Sequence, residues 1–154
     1  MKSLFTTLYF TKGQFDPKVI EGTSAPEPYV ELINFNNGIE KIGDKAFESY
    51  EGLKEVRFPN SLKEIGDRAF ENCDSLKTIT LPEGCKTLGS MSFAYCFDLE
   101  TVIIPSSMER IESDTFHRCI NLKYFIVLNP EMDVSKIELP DECKIIRGVE
   151  EKRW

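Results

Sequence analysis

Five cysteines, one histidine and a few recurring carboxylates are the residues of this chain suited to metal binding, thiol chemistry or acid–base work. Cys73, Cys96 and Cys119 stand 23 residues apart, in a register that begins at Tyr50. A slot that takes Tyr and Cys alike asks for a medium, mostly apolar side chain, and free Cys is a common core residue. Metal sites want paired ligands such as Cys-x-x-Cys, and the chain has none. Cys85 shares its register with Ile39, Leu62 and Met108, which also points to the core, whereas Cys143 falls outside the pattern. With an odd count, at least one thiol stays unpaired within the monomer. His117 follows Glu48, Glu71 and Ala94 at the same step, the pattern of a solvated helical position rather than of a catalytic base. One histidine supplies no Ser-His-Asp or Cys-His set. Gly43, Gly66 and Gly89 precede Asp44, Asp67 and Ser90. They lack the Lys-Ser/Thr that a phosphate loop needs. The expectation is no enzyme, no metal and no cofactor.

The 23-residue step that groups these residues runs through the chain. It takes Ile42 to Ile65, Leu88 and Ile111, and Phe47 to Phe70, Phe93 and Phe116. Leu53, Leu76, Leu99 and Leu122 share another register, as do Val56, Ile79, Val102 and Phe125. So many registers kept together define a repeat array. In Leu76-Lys77-Thr78-Ile79-Thr80-Leu81-Pro82, Ile79 and Leu81 fall on one face of a short strand and Thr78 and Thr80 on the other. Pro82 ends it, because proline cannot donate to a ladder. Asp44, Asp67, Ser90 and Ser113 share the next register and are good N-cap residues, which predicts a short helix or helical turn after each. Ala46, Phe47 and Tyr50 then fall at helical spacing on one side. Adjacent helical walls spread wider than the roughly 4.4–6.8 Å between Cα atoms that a disulfide allows, so a disulfide ladder is not expected. No unit buries its apolar face alone, but stacked neighbours do. The predicted fold is α/β, a right-handed solenoid with a parallel β-sheet on one wall and short helical segments on the other.

The run Ile65-Gly66-x-x-Ala69-Phe70-x-x-Cys73-x-x-Leu76-x-x-Ile79-x-Leu81-Pro82 resembles the leucine-rich repeat of the BspA-like class, and residues 39–128 follow it. The resemblance implies a secreted or surface attachment and interaction module, of the kind found in bacteria and some protozoa. Val30-x-x-Ile33-x-Phe35 reads as the strand of a partial preceding unit, 30–38. Residues 1–29, with a loop over Thr23–Pro28, read as an N-terminal cap, 30–128 as the repeats, and 129–154 as a C-terminal cap. In that last cap Val134-x-x-Ile137-x-Leu139-Pro140 reads as the strand of a truncated rung without its helical half.

Across 154 residues the chain holds 26 acidic and 19 basic side chains, a formal charge of −7. A phosphate-backbone binder needs the opposite balance, so nucleic acid is not an expected partner. No run of about 18 apolar residues predicts a membrane span. Thr6, Thr7 and Thr11 interrupt the apolar start and no Ala-x-Ala-like cleavage site follows, a poor signal peptide. The default compartment on these grounds is the cytoplasm, against the surface location that the resemblance implies.

The outer face of the sheet remains as the expected binding surface. Read by register it presents Leu32 and Asn34, Glu55 and Arg57, Thr78 and Thr80, Thr101 and Ile103, Tyr124 and Ile126, then Lys136 and Glu138. It passes from charged to hydroxylic to apolar, and clustered β-branched and aromatic side chains mark contact surfaces. The competing expectation is that the C-terminal cap folds over Ile103, Tyr124 and Ile126. Five strands at about 4.8 Å spacing give only some 300–400 Å². A stable interface takes about 800 Å² per partner, so a protein partner must also touch the flanking loops. The alternatives are weak self-association through the stack ends, or an acidic decoy for a basic protein. Lys45, Lys54, Arg68 and Lys77, interleaved with the acids, speak against the decoy.

Overall fold

A computed structural model describes residues 7–10, 19–20 and 30–148. The expected N-terminal loop at 23–28 and the last six residues of the C-terminal cap lie outside the described residues. The chain winds into a parallel β-solenoid of about five turns. Longer strands β1 (Thr7–Phe10), β3 (Leu32–Phe35), β5 (Glu55–Arg57), β7 (Thr78–Thr80), β9 (Thr101–Ile104), β11 (Tyr124–Val127) and β12 (Lys144–Arg147) form one wall. Two-residue strands β2 (Val19–Ile20), β4 (Lys41–Ile42), β6 (Glu64–Ile65), β8 (Thr87–Leu88) and β10 (Arg110–Ile111) form a second, continuous five-stranded ladder. The pairs Lys-Ile, Glu-Ile, Thr-Leu and Arg-Ile put one side chain out and one in, the period-two rule at its shortest.

The inner registers close on one column. Phe47, Phe70, Phe93 and Phe116 stack with centroids 5.3, 5.3 and 5.8 Å apart, all buried. Burying each ring contributes roughly 1.5–3 kcal/mol. On the outside, ion pairs join rung to rung at the same step: Lys54 with Glu31 at 3.2 Å, Lys41 with Glu64 at 3.1 Å, and Lys123 with Glu100 at 3.5 Å. Of the interleaved bases, Lys54 is paired across rungs and Arg68 within its own, with Glu71.

The wall expected to be helical contains no helix among the described residues. Lys45 and Ser49 have φ of 58° and 63°, and Arg68 and Asn72 of 56° and 60°. A left-handed residue on every fourth position stops α-helical propagation. The N–H groups of Lys45, Phe47 and Ser49 donate across to Asp67 O, Ala69 O and Glu71 O on the next rung, at 2.8, 2.7 and 2.7 Å. Those of Ala46, Glu48 and Tyr50 turn back to the third preceding carbonyl, at 3.3, 3.2 and 3.4 Å. The wall is thus a stack of linked turns, stapled at sheet-like spacing. The expected N-caps act between rungs as well: Asp44 Oδ1 accepts the Asp67 N–H at 2.8 Å, and Asp67 Oδ1 the Ser90 N–H at 2.9 Å.

The glycines set how closely this wall packs. A Cβ on Gly66 would meet Asp44 N at 2.8 Å and Gly43 C at 2.9 Å; one on Gly89 would meet Asp67 N and Gly66 C at 2.7 Å. Glu112 holds the same register one rung on, and there the wall loosens. Its N–H bond to Leu88 O lengthens to 3.3 Å, against 2.8 and 2.9 Å at Gly66 and Gly89. The N–H of Met91 reaches the Asp114 side chain instead of a backbone carbonyl.

The C-terminal cap departs from expectation too. Residues 134–139 are not a strand. Val134 and Ile137 are buried as a turn, and the Glu138 N–H donates to Ser113 O at 2.8 Å, on the turn wall. The strand of this rung is β12, pairing Tyr124 with Lys144 and Val127 with Arg147. The turn half is kept and only shortened.

Candidate functional site

Thr78, Thr80, Thr101, Ile103, Tyr124 and Ile126 come together on the four-stranded sheet β7–β9–β11–β12. Two lines cross it: Thr78, Thr101, Tyr124 and Lys144, and beside it Thr80, Ile103, Ile126 and Ile146. Tyr124 is exposed, Ile103 and Ile126 are half-buried, and Ile146 is exposed. Among the described residues, the cap lengthens this face by one strand, β12, and does not fold over it. Lys144 and Ile146 were not anticipated. Their strand begins 20 residues after Tyr124 instead of 23, while Val134–Pro140 mimics the repeat's strand motif. The β-branched pair Ile145-Ile146 was the available signal. Lys136 and Glu138 do not lie on this face, because their segment is a turn on the other wall.

Glu55 and Arg57 are separated from these residues. β5 belongs to the sheet β1–β3–β5 and makes no ladder with β7. A cleft of about 500 Å³ lies between, lined by Val56, Arg57, Phe58, Thr78 and Thr80 among others. Val56 is half-buried, whereas its register mates Ile33, Ile79, Val102 and Phe125 are buried. The hydroxyl of Ser61 accepts the Gly38 N–H and donates to Ile39 O, and Ser107 does the same for Gly84 and Cys85. These staples tie the β3 and β5 rungs, and the β7 and β9 rungs, but skip the junction between. Glu55 and Arg57 pair with each other at 2.9 Å.

The candidate chemistry turns inward. Cys73, Cys96 and Cys119 are buried, and their thiols donate to Phe47 O, Phe70 O and Phe93 O at 3.3, 3.3 and 3.0 Å. Burial pushes the Cys85 thiol up to about 12 and raises Cys73 and Cys96 well above the ordinary range. These thiols therefore lack the thiolate a nucleophile or metal ligand needs. His117 does not stand free in solvent: its Nδ1 meets both carboxylate oxygens of Glu138 at 2.9 Å, and its ring sits edge-on to Tyr95. Its register is not an exposed one, since Ala94 is fully buried and Glu71 is 7% exposed. Linked turns bring that register beneath the neighbouring rung, where a helix would have turned it outward. The described residues contain no group of three metal-ligating side chains.

A family model described as "BspA type Leucine rich repeat region" matches residues 27–139 in six copies. A leucine-rich repeat protein of T. pallidum is similar, with 26% identity and a TM-score of 0.73, over 79% of this chain and 58% of that one. A leucine rich cell surface protein from Faecalibacterium prausnitzii also has 26% identity and a TM-score of 0.73, over 85% of this chain and 33% of that one. A leucine-rich repeat protein from Bacteroides ovatus has 29% identity and a TM-score of 0.63, over 77% and 36%. This chain thus spans 58% of the first structure and about a third of the other two. No curated protein matches the sequence.

Proposed function

Because the chain belongs to the BspA-type leucine-rich repeat family, we propose that it is a non-enzymatic protein-binding module of the adhesion type, working through the face of β7–β9–β11–β12. The supporting observation is the apolar cluster of Ile103, Tyr124, Ile126 and Ile146 on one exposed sheet surface. Monomers seldom leave such neighbours uncovered unless something docks there. Tyr124 is suited to anchoring a partner, with a large ring and few rotamers to freeze. Thr78, Thr80 and Thr101 supply hydroxyls beside it, and Glu55 and Arg57 supply charge across the cleft. The F. prausnitzii neighbour is a cell-surface protein, and we place this chain's work at a cell surface too, in preference to the cytoplasm. Among the described residues no helix is long and apolar enough to cross a membrane.

The test is a pull-down from surface extracts with the parent protein, Tyr124→Ala and Ile103→Asp, alongside thermal melts. The expected outcome is that both variants lose the captured partner while melting as the parent does. Retained capture, or a melt lowered by several degrees, removes the face from the binding role. A second reading, self-association, is favoured by the outer edge of β12, whose four residues are all exposed. The acidic-decoy reading is disfavoured along the strand walls, where Lys41, Lys54 and Lys123 pair with acids of neighbouring rungs.

A further inference from the structure

The corner just ahead of the long strands carries a second surface that the repeat pattern conceals. Glu51, Asp74, Phe97 and Ile120 occupy one register, so the corner where each turn wall ends changes from acidic to apolar along the stack. Phe97 is 39% exposed and Ile120 61%, the most exposed large apolar side chain of the described residues. Successive rungs meet closely at this corner. The Ser75 hydroxyl donates to Glu51 O at 2.6 Å, the Asp98 N–H to Asp74 O at 3.1 Å, and the Asn121 amide to Phe97 O at 2.7 Å. The apolar end opens into a cavity of about 320 Å³ between this wall and the shortened cap turn, lined by Phe116, Ile120, Leu139 and Pro140, with His117 and Glu138 paired at its rim. A cavity of this size holds one bulky side chain.

The other end is acidic, with Lys77 and Lys123 in the same cleft as Asp98. Glu51, Asp74 and Asp98 have no ion pair among the described residues, and Asp74 Oδ1 is buried without a hydrogen-bond partner. Burial, then the charges of Glu51 and Asp98, raises the Asp74 carboxyl above its ordinary range. A cation laid beside these three groups relieves that repulsion. Arg118, at the cavity, disfavours a cation at the other end.

We propose that this corner strip is a docking groove for an extended segment of a partner protein, basic at one end and apolar at the other. Its bulky side chain fills the cavity beside Ile120 and Leu139, and its lysines or arginines lie along Asp98, Asp74 and Glu51. Four rungs at about 4.8 Å make a track of roughly 15 Å, which an extended chain at about 3.3 Å per residue covers with five or six residues. The strip adjoins the β7–β12 face, with Ile120 four residues ahead of Tyr124, and shares none of its outward residues.

The experiment is fluorescence anisotropy with a fluorescein-labelled peptide of three lysines, a glycine and two leucines, titrated with the full chain. Saturable binding is expected. Ile120→Asp weakens it at least tenfold, Asp74→Asn combined with Asp98→Asn weakens it severalfold and flattens its salt dependence, and Thr87→Ala on the far ladder leaves it unchanged. Circular dichroism verifies that each variant is folded, and Ile120→Ser replaces Ile120→Asp if the latter is not. A peptide with glutamines in place of lysines binds more weakly. Absence of saturable binding, equal affinity for the glutamine peptide, or full affinity in the folded Ile120 variant overturns the proposal.

Discussion

Glu71 illustrates what a single residue costs this fold. Its carboxylate is buried in the turn wall, with Glu48 beside it, Arg68 at 3.7 Å, and one oxygen without a hydrogen-bond partner. Burial dominates and raises its proton affinity, with Arg68 opposing. An acid whose folded pKa lies above its unfolded value binds its proton more tightly when folded. Its ionisation therefore destabilises the fold as pH rises through the ordinary carboxylate range to the raised folded value. Glu71→Gln is expected to raise the melting temperature near pH 7, with the gain shrinking toward about pH 4 as the parent residue takes up its proton. Melts across that range check it, and a Gln variant less stable near neutrality would show that Arg68 outweighs burial. Glu71 was misjudged from sequence because a charged residue in a repeating register reads as solvent-facing. The buried state follows only from the linked-turn backbone. The thiols were legible as core residues, since Cys alternated with Tyr50 in one slot. The supposed gap between their walls was not, because sheet-like stapling brings the rungs together.

The turn wall is the element on which sequence and structure part. Ala46, Phe47 and Tyr50 lie on one side both in a helix and in a chain of linked turns, so apolar spacing cannot separate the two. The distinguishing information was the glycine ahead of three of the four turns, at 43, 66 and 89. Gly66 and Gly89 are required by close approach to the preceding rung. Gly66→Ala should cost about 1–3 kcal/mol through displaced backbone. At Lys45, with φ of 58°, a glycine should be tolerated or stabilising, whereas Lys45→Val should destabilise by about 1–2 kcal/mol. Urea titrations of the three variants test this order, and a helical wall would reverse it at Lys45. The strands were readable throughout the regular repeats, where outward and inward residues alternate. β12 escaped because the shortened rung shifted it out of phase.

At the scale of the whole molecule, the 23-residue repeat dictated the stack, but the ends and joints follow from local exceptions. A partner-binding monomer should scatter light at 17.7 kDa over a wide concentration range. A mass that climbs with concentration, and falls back in a Ile145→Lys variant, would instead identify the exposed β12 edge as a self-association surface. Charge patterning limits nonspecific assembly, because the Lys–Glu pairs are exposed and each contributes only about 0–1 kcal/mol.

The missing ladder between β5 and β7 gives the array a crease. On either side of it the long strands are laddered; at the crease itself the β6–β8 ladder and the turn wall with its corner bridge the two blocks, through bonds such as Lys86 N–H to Lys63 O, Arg68 N–H to Ser90 O and the Ser75 hydroxyl to Glu51 O. Those two walls act as the spine of a book and the strand face as its opening side. Opening or closing of this joint changes the distance between Arg57 and Thr80, which no strand hydrogen bond fixes. A ligand that spans both blocks sets the curvature of the whole solenoid.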